Sequence, residues 1–557
     1  MKTASKPTGL HYWMLRVLHE CDNVSANFSP DPVHDLRISL RRCRSLADGM
    51  MAMDPDPDWK AMKKAGKQLF QRLGALRDVQ IMMEWIEKLG VGQERRLPST
   101  SSGRALSALP KVAEDLAASP QAAPSPESQP VAHDPAAHAL LHILRARETE
   151  QKHEASAALE EFDRKQWRQW SKLLPQRSSR IRPGSAVFKH LALERWTTAR
   201  ELHARALRNR SQVGFHTLRI GIKRFRYIVE NFLPAEHKAW SDDLKHLQDL
   251  LGEVHDLDVL WATALSCHVF ADEASSKTWH LRISEERTKR IDEYRKRTVG
   301  TDSLWNVWRA GLPQGKQIQA IATRRMKLWA KALDPDFAHS ERVARLSLEL
   351  YDGLVASGLL STGPSNSLRE TNGAAADART SLYAAALLHD VGKTKGNKGH
   401  HKESSDLIKK HGTPLGWKPE NLSRAAIVAR FHAGALPLRS HKILRDLLPE
   451  EQKTIIRLSA ILRLANAFDV AHDGHIRKLK IENTLAPPRS HTRRTNGFLR
   501  KPPTLGKNQA LVITAEGYAD GTPTAQALAA ERYLLETVLR RPVVVKAASG
   551  SRHPAPG

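Results

Sequence analysis

The sequence predicts a mainly α protein: a duplicated helical bundle, then an all-helical domain, closing on a small α/β subdomain. Three observations carry that expectation. A basic helical motif occurs twice, starting at His34 and at His216. Apolar residues recur at helical spacing through most of the chain, whereas short β-like runs appear only after about Arg477. The length of 557 residues also exceeds the roughly 100–200 residues of one ordinary domain.

Taken in order, the first 90 residues read as helices. Between Gly92 and Pro135 the composition shifts to Ser, Pro, Ala and Gly. Such a segment buries too little apolar surface to offset its ordering entropy, so a disordered insertion is expected at about 92–135. Helical patterning resumes near Ala136 and runs to about Arg297. A break at Gly300–Gly315 precedes a third helical region from Lys316 to Asp469. The runs LKIE, ALVITAEG and PVVVK then read as strands, with the amphipathic helix AQALAAERYLLETVL before the last. Pro487–Lys507, rich in Pro and Arg, reads as a loop between the first two strands, and the last ten residues as a frayed end.

Composition excludes several classes. With 26% charged and 41% hydrophobic residues, wholesale disorder is excluded. No apolar run approaches the roughly 20 residues that span a bilayer, and Met1–Arg16 lacks a secretory signal layout. A cytoplasmic protein with no membrane partner is therefore expected. Cys21, Cys43 and Cys267 are far apart, which excludes a disulfide scaffold or a thiolate zinc site. The balance of 87 Lys+Arg against 60 Asp+Glu gives a net charge of +27, which attracts polyanions without choosing among them.

The repeat narrows that choice. HDLRISLRRCRS and HTLRIGIKRFRY place His34, Arg37, Arg41, Arg44 and His216, Arg219, Lys223, Arg226 at the same four offsets. At about 100° per residue these fall within an arc of roughly 80°, one face of a helix. Downstream, LGALRDVQIM and LGEVHDLDVL repeat as well. Like charges on one face repel unless an extended anion lies along them. Arg clamps phosphate oxygens in fork geometry and Lys adds a point charge. Aromatic interleaving is sparse, with only Phe225 and Tyr227 beside the stripe, so base stacking and nucleic acid are not favoured. A bare phosphate chain fits better. Asp78 and Asp256, in the downstream repeats, are expected to brace the bundle against basic residues.

These doubled motifs resemble the CHAD domain, the conserved-histidine α-helical domain, over about residues 9–300. The resemblance implies two pseudo-symmetric helical halves whose basic helices line a groove for inorganic polyphosphate.

A second signal is LLHDVGK, ending the apolar run SLYAAALL. Upstream, His339 opens an amphipathic helix; downstream lie His400, His401, His432 and Asp469. Imidazole and carboxylate together hold divalent metals, and a carboxylate can bridge two of them. A metal so held acidifies water for attack on phosphorus and offsets phosphate charge. His339, His389, Asp390 and Asp469 suffice for one ion, and His432 with His400 or His401 would complete a second. Lys393 is expected to face the phosphate, Asp336 to cap a helix, and His441, His472, His475 and His491 to be surface or loop residues.

The order His…His-Asp…His…His…Asp resembles the HD superfamily of metal-dependent phosphohydrolases. More narrowly it is similar to the C-terminal HD region of the exopolyphosphatase/guanosine-pentaphosphatase family, through DFAHSERV, HDVGK, HHKESSDLI, VARFH and LRLANAFD. The pattern departs at Glu403, where that family usually carries His. The resemblance implies an HD domain over about 318–475 and a small α/β subdomain over 476–546. Catalysis would rest on Asp390 and Lys393, with His339, His389, Asp390, His401, His432 and Asp469 around one or two ions of Mn, Mg or Fe. The expected function is polyphosphate capture by the first domain and hydrolysis of phosphoanhydride or phosphoester bonds by the second, on polyphosphate or another small phosphorylated substrate. The two alternatives are a polyphosphate-binding or granule-targeting protein with an idle HD domain, and a nucleotide or guanosine-polyphosphate hydrolase that polyphosphate regulates.

Overall fold

The computed structural model describes residues 9–26, 28–90, 134–360, 368–482 and 510–548. The expected insertion at 92–135 lies outside these except at its end, where Asp134 accepts from the Ala136 and Ala137 amides and caps the next helix. The expected loop 487–507 and the frayed C-terminal end also lie outside them. Among the described residues the protein is mainly α, with eighteen α-helices and three strands. The chain divides into two compact units, Met1–Met50 with Pro57–Leu312, and Met51–Asp56 with Pro313–Gly557.

The first unit contains α1 (Leu10–Ala26), α2 (Pro30–Met50), α3 (Pro57–Gly90), α4 (Pro135–Glu160) and α5 (Arg164–Ser178), then α6 (Ala186–Asn209), α7 (Gln212–Phe232), α8 (Pro234–Ser266), α9 (Glu273–Thr298) and α10 (Leu304–Ala310). The sequence repeat is a structural repeat. α1 packs on α2, α2 on α3 and α3 on α4, as α6 packs on α7, α7 on α8 and α8 on α9. The halves meet where α2 packs on α7 and α3 on α8. Gly49 makes that approach possible, because a Cβ there would strike the Phe232 ring. The apolar faces of α2 and α7 are fully buried at Leu36, Leu40, Leu218 and Ile222, which contributes roughly 1.5–3 kcal/mol per side chain.

The expected break at Gly300–Gly315 contains a helix of its own. α10 has only seven residues, too few to show a period, yet Trp305 and Trp308 are both fully buried. The two rings meet edge to face at 5.4 Å.

The second unit contains α11 (Lys316–Leu333), α12 (Phe337–Ala356), α13 (Leu368–Leu388), α14 (His400–His411), α15 (Pro419–Arg430), α16 (Lys442–Arg445), α17 (Pro449–Phe468) and α18 (Pro523–Leu539). The apolar end of α13 packs among α12, α15 and α17, so Leu382 and Ala384–Leu388 are buried. A helix this apolar on all sides must run through a core, and its end is therefore delivered to the domain centre. β1 (Lys478–Glu482) pairs antiparallel with β2 (Leu511–Glu516), and β2 pairs parallel with β3 (Val543–Ala547) through α18. Leu511, Ile513 and Ala515 alternate into the same core. No helix of the described residues is long and apolar enough to cross a membrane.

Candidate functional site

In the first unit, the two basic stripes share one electrostatic field. Burial, and then the charges of Arg41, Arg219, Arg37 and Arg44, pull Lys223 down to about 7. Burial likewise lowers Arg37 to about 10 despite Asp78, and its Nη1 donates to the Leu73 and Gly74 carbonyls at 3.2 and 3.3 Å. Arg44 lies over the Phe70 ring at 4.8 Å and Arg41 over Tyr227 at 5.9 Å. Arg226 is 3.9 Å from Glu230. His34 is lowered by burial and then by Arg41 and Arg77. The His216 Nδ1 lies 3.3 Å from the Nδ1 of His255, which burial and Arg219 hold down at about 4. Asp78 and Asp256 lie among these cations. Surrounding atoms desolvate both and raise them, Asp256 to about 6, while Arg219 opposes the rise in each.

In the second unit, α13 ends at Leu388 and presents His389 and Asp390 to a buried point. A 3-10 turn (Val391–Lys395) follows, and its amide at Gly392 donates to Ser404 Oγ at 2.9 Å. A Cβ at Gly392 would strike the His400 carbonyl, so only glycine lets this turn lie against the start of α14.

Three imidazoles share one device. His389, His400 and His432 each donate Nδ1–H to the carbonyl three residues back, at Ala386, Asn397 and Ala429, over 2.7, 2.8 and 2.7 Å. A carbonyl only accepts, so each neutral ring carries its lone pair on Nε2. His389 Nε2 lies 3.4 Å from Asp390 Oδ2; His400 and His432 Nε2 lie 3.3 and 3.7 Å from Oδ1. The His400 and His432 Nε2 atoms are 3.0 Å apart, an arrangement that repels unless a proton or a cation lies between them. With His400 neutral, His389 Nε2 and Asp390 Oδ1 are buried without a hydrogen-bond partner, which is costly in a protein interior.

Burial disfavours ionisation of Asp390, yet His389, His400, His432 and Lys393 outweigh it and hold the carboxyl well below the usual range. Burial keeps His389 and His432 neutral, whereas the contact with Asp390 raises His400. His339, Asp390 and His389 form one group able to hold a metal ion; Asp390, His400 and His432 form another.

Residues 15–265 match the CHAD domain family, and residues 321–509 match Ppx/GppA phosphatase, domain III. The chain joins a CHAD domain to a Ppx/GppA-like C-terminal region. No curated protein matches it. The second match places the C-terminal region in a phosphatase family.

Several side chains of the Ppx/GppA-like region fall differently from the expectation. His400, not His401, is the ring brought to Asp390; one residue on, His401 lines a neighbouring cavity. Asp469, expected among the ligands, belongs to neither group. Its Oδ2 accepts from His339 Nδ1 at 2.7 Å and from Arg342 Nε at 2.8 Å, and its Oδ1 from the Gly474 amide at 3.1 Å. It thereby orients His339, whose Nε2 is 4.0 Å from Asp390 Oδ2. Lys393, expected to face a phosphate, donates Nζ to Asp390 Oδ2 at 2.5 Å. Glu403, at the position where the pattern departs, pairs with Lys395. Asp336, by contrast, caps α12 through the His339 amide as expected.

His472 is exposed in a turn, as expected, yet it also stacks on His339 with centroids 3.8 Å apart and is held by Asp336 Oδ2 at 2.6 Å. Its place follows from the turn after Asp469, which no helical period reports. Asn466, 3.0 Å from His339 Nε2, is a further neighbour that the motifs did not single out, although LRLANAFD places it one turn before Asp469. In the CHAD domain the unforeseen cation is Arg77, which acts on His34, Arg37 and Asp78 and pairs with Glu84 at 2.9 Å. Its signal was its place beside Asp78.

Proposed function

We propose that the chain is a metal-dependent phosphohydrolase of HD type. Its CHAD domain binds inorganic polyphosphate, and its C-terminal region hydrolyses phosphoanhydride or phosphoester bonds. The observation that carries this reading is the buried Asp390 with an unpartnered oxygen, met by Nε2 lone pairs that three histidines aim at it. That donor set fits a divalent cation: imidazole nitrogen and carboxylate oxygen, with the tautomers fixed by carbonyls behind. His339, His389 and Asp390 would hold one ion, and Asp390, His400 and His432 a second. A bound divalent ion supplies Lewis acidity towards phosphate oxygens and lowers the pKa of water.

The chain's own residues do the remaining work. Asp390 stays ionised and bridges the two groups of nitrogens. Asp469 and Arg342 fix the His339 ring, so its Nε2 keeps its direction. Lys393, released from Asp390, would carry its ammonium to the phosphate oxygens and stabilise the charge that develops there. In the CHAD domain, Arg37, Arg41, Arg44, Arg219 and Lys223 lose mutual repulsion when phosphates lie between them. Capture there raises the effective concentration of polyphosphate for the second domain.

One observation favours a second reading, a polyphosphate-binding protein with an idle HD domain. Lys393 already sits on Asp390 and Arg342 on Asp469, so both carboxylates are neutralised from within the chain. A hydrolysis panel separates the two. Long polyphosphate, pyrophosphate, guanosine tetraphosphate and nucleotides are offered with Mn, Mg or Fe, and metal content is measured in parallel. The enzyme reading expects metal-dependent release of phosphate from at least one of them.

A further inference from the structure

In α17 the run from Leu458 to Ala465 is buried throughout, and its one charged side chain is Arg463, 7% exposed. A cation taken out of water is costly unless its donors are met. Here they are met on two sides. Nε and Nη2 donate to Oε2 and Oε1 of Glu531 at 2.6 and 3.1 Å, the two-pronged pairing of guanidinium with carboxylate. Nη1 donates to the Phe431 and Gly434 carbonyls at 3.1 and 3.2 Å. Glu531 lies on α18, the helix of the α/β subdomain, which packs on α17.

The two carbonyls bracket His432. α15 ends at Arg430, so His432 stands just past the helix, where carbonyls lose their intrahelical partners. The bond from its Nδ1 to Ala429 sets the ring against its own backbone. That bond does not hold the backbone against Asp390, which arrives from the end of α13. Arg463 does hold it, through one carbonyl before His432 and one two residues after. An apolar pair of similar volume would join α17 to α18 about as well, because the cost of desolvating two charges offsets their attraction. Such a pair would leave both carbonyls unheld. The ion pair is therefore explained by the turn it grips and not by the packing of two helices.

We infer that Arg463 and Glu531 are positioning residues for His432. Through them the α/β subdomain sets the geometry of the Asp390, His400 and His432 group and leaves that of His339 and His389 unaffected. The inference goes beyond the proposed function and rests on it only for calling this group a metal site.

The test is made on the full chain and pairs a metal-free readout with a metal-binding one. Arg463→Met combined with Glu531→Leu replaces the ion pair by apolar volume, and Glu531→Gln keeps the shape without the charge. Diethyl pyrocarbonate modifies accessible imidazole nitrogens, and peptide mass spectrometry reads its rate at each histidine. In the metal-free wild type His432 and His389, 3% and 0% exposed, are both expected to be protected. In the double variant His432 should be modified at least tenfold faster with His389 unchanged, and Glu531→Gln should move His432 the same way by a smaller factor. Titration with Mn(II) should show the second ion bound about tenfold or more weakly in the double variant, with the first unchanged. His432 as protected as in the wild type in both variants overturns the inference. So does His389 opening together with His432 in both, which would mark a general loss of structure. If His432 alone opens but the wild type binds no Mn(II), the positioning role stands and the metal reading of the cluster falls.

Discussion

At the scale of single residues, Asp390 and Lys223 are held in opposite ways. Asp390 is buried yet kept ionised by the nitrogens around it, so Asp390→Ala removes a ligand and a charge together. The expected outcome is loss of bound divalent metal and at least a hundredfold fall in hydrolysis, read by elemental analysis beside phosphate release. Asp390→Asn keeps the shape without the charge and should restore neither. Lys223 is crowded by like charge and pulled down to about 7. It is therefore largely protonated below that pH and neutral above it, and a bound anion must restore the proton. Polyphosphate affinity should fall as pH rises through 7, by up to about tenfold per unit for one proton. Asp256, held near 6, ionises in the same direction and adds to the fall. Lys223→Arg keeps its charge throughout, so a binding titration between pH 6 and 8 should flatten. An unchanged slope would show that Lys223 is not the group responsible.

At the scale of elements, the legible features were those with a period. The basic stripes on α2 and α7 share their offsets, and those offsets alone fix one helical face. The apolar end of α13 likewise announced a core helix that would end on His389 and Asp390. What escaped was set by turns. His400 and His401 are adjacent, and only the entry of the chain into α14 decides which ring meets Asp390. His472 reaches His339 from a turn, and α10 is too short to show a period although its two tryptophans are buried. Asp469 lay in the right place, but its oxygens are claimed by His339 and Arg342, which spacing alone does not reveal. The turn that carries this geometry makes its own prediction. Gly392→Ala would push a Cβ into the His400 carbonyl, costing about 1–3 kcal/mol in overpacking. A lowered Tm should accompany loss of metal at unchanged helical content. Retained metal at wild-type Tm would mean the turn tolerates a side chain.

At the scale of the whole molecule, the proposed function divides the work between the two units. With Arg37, Arg41, Arg219 and Lys223 replaced by Ala, polyphosphate binding should weaken strongly and lose much of its salt dependence, since fewer charges remain to be screened. Hydrolysis of a short substrate such as pyrophosphate should be little changed in that variant, because its cluster is intact. A variant that remains folded and binds long polyphosphate as tightly as wild type would contradict the groove. The central claim is that the Asp390 cluster is a working metal centre, and the most direct measurement is phosphate release across the whole hydrolysis panel, long polyphosphate included, by the metal-reconstituted full chain, compared with its Asp390→Ala variant. The account predicts metal-dependent release by the wild type and its loss in the variant; equal rates in the two proteins, or no release by either, would contradict it.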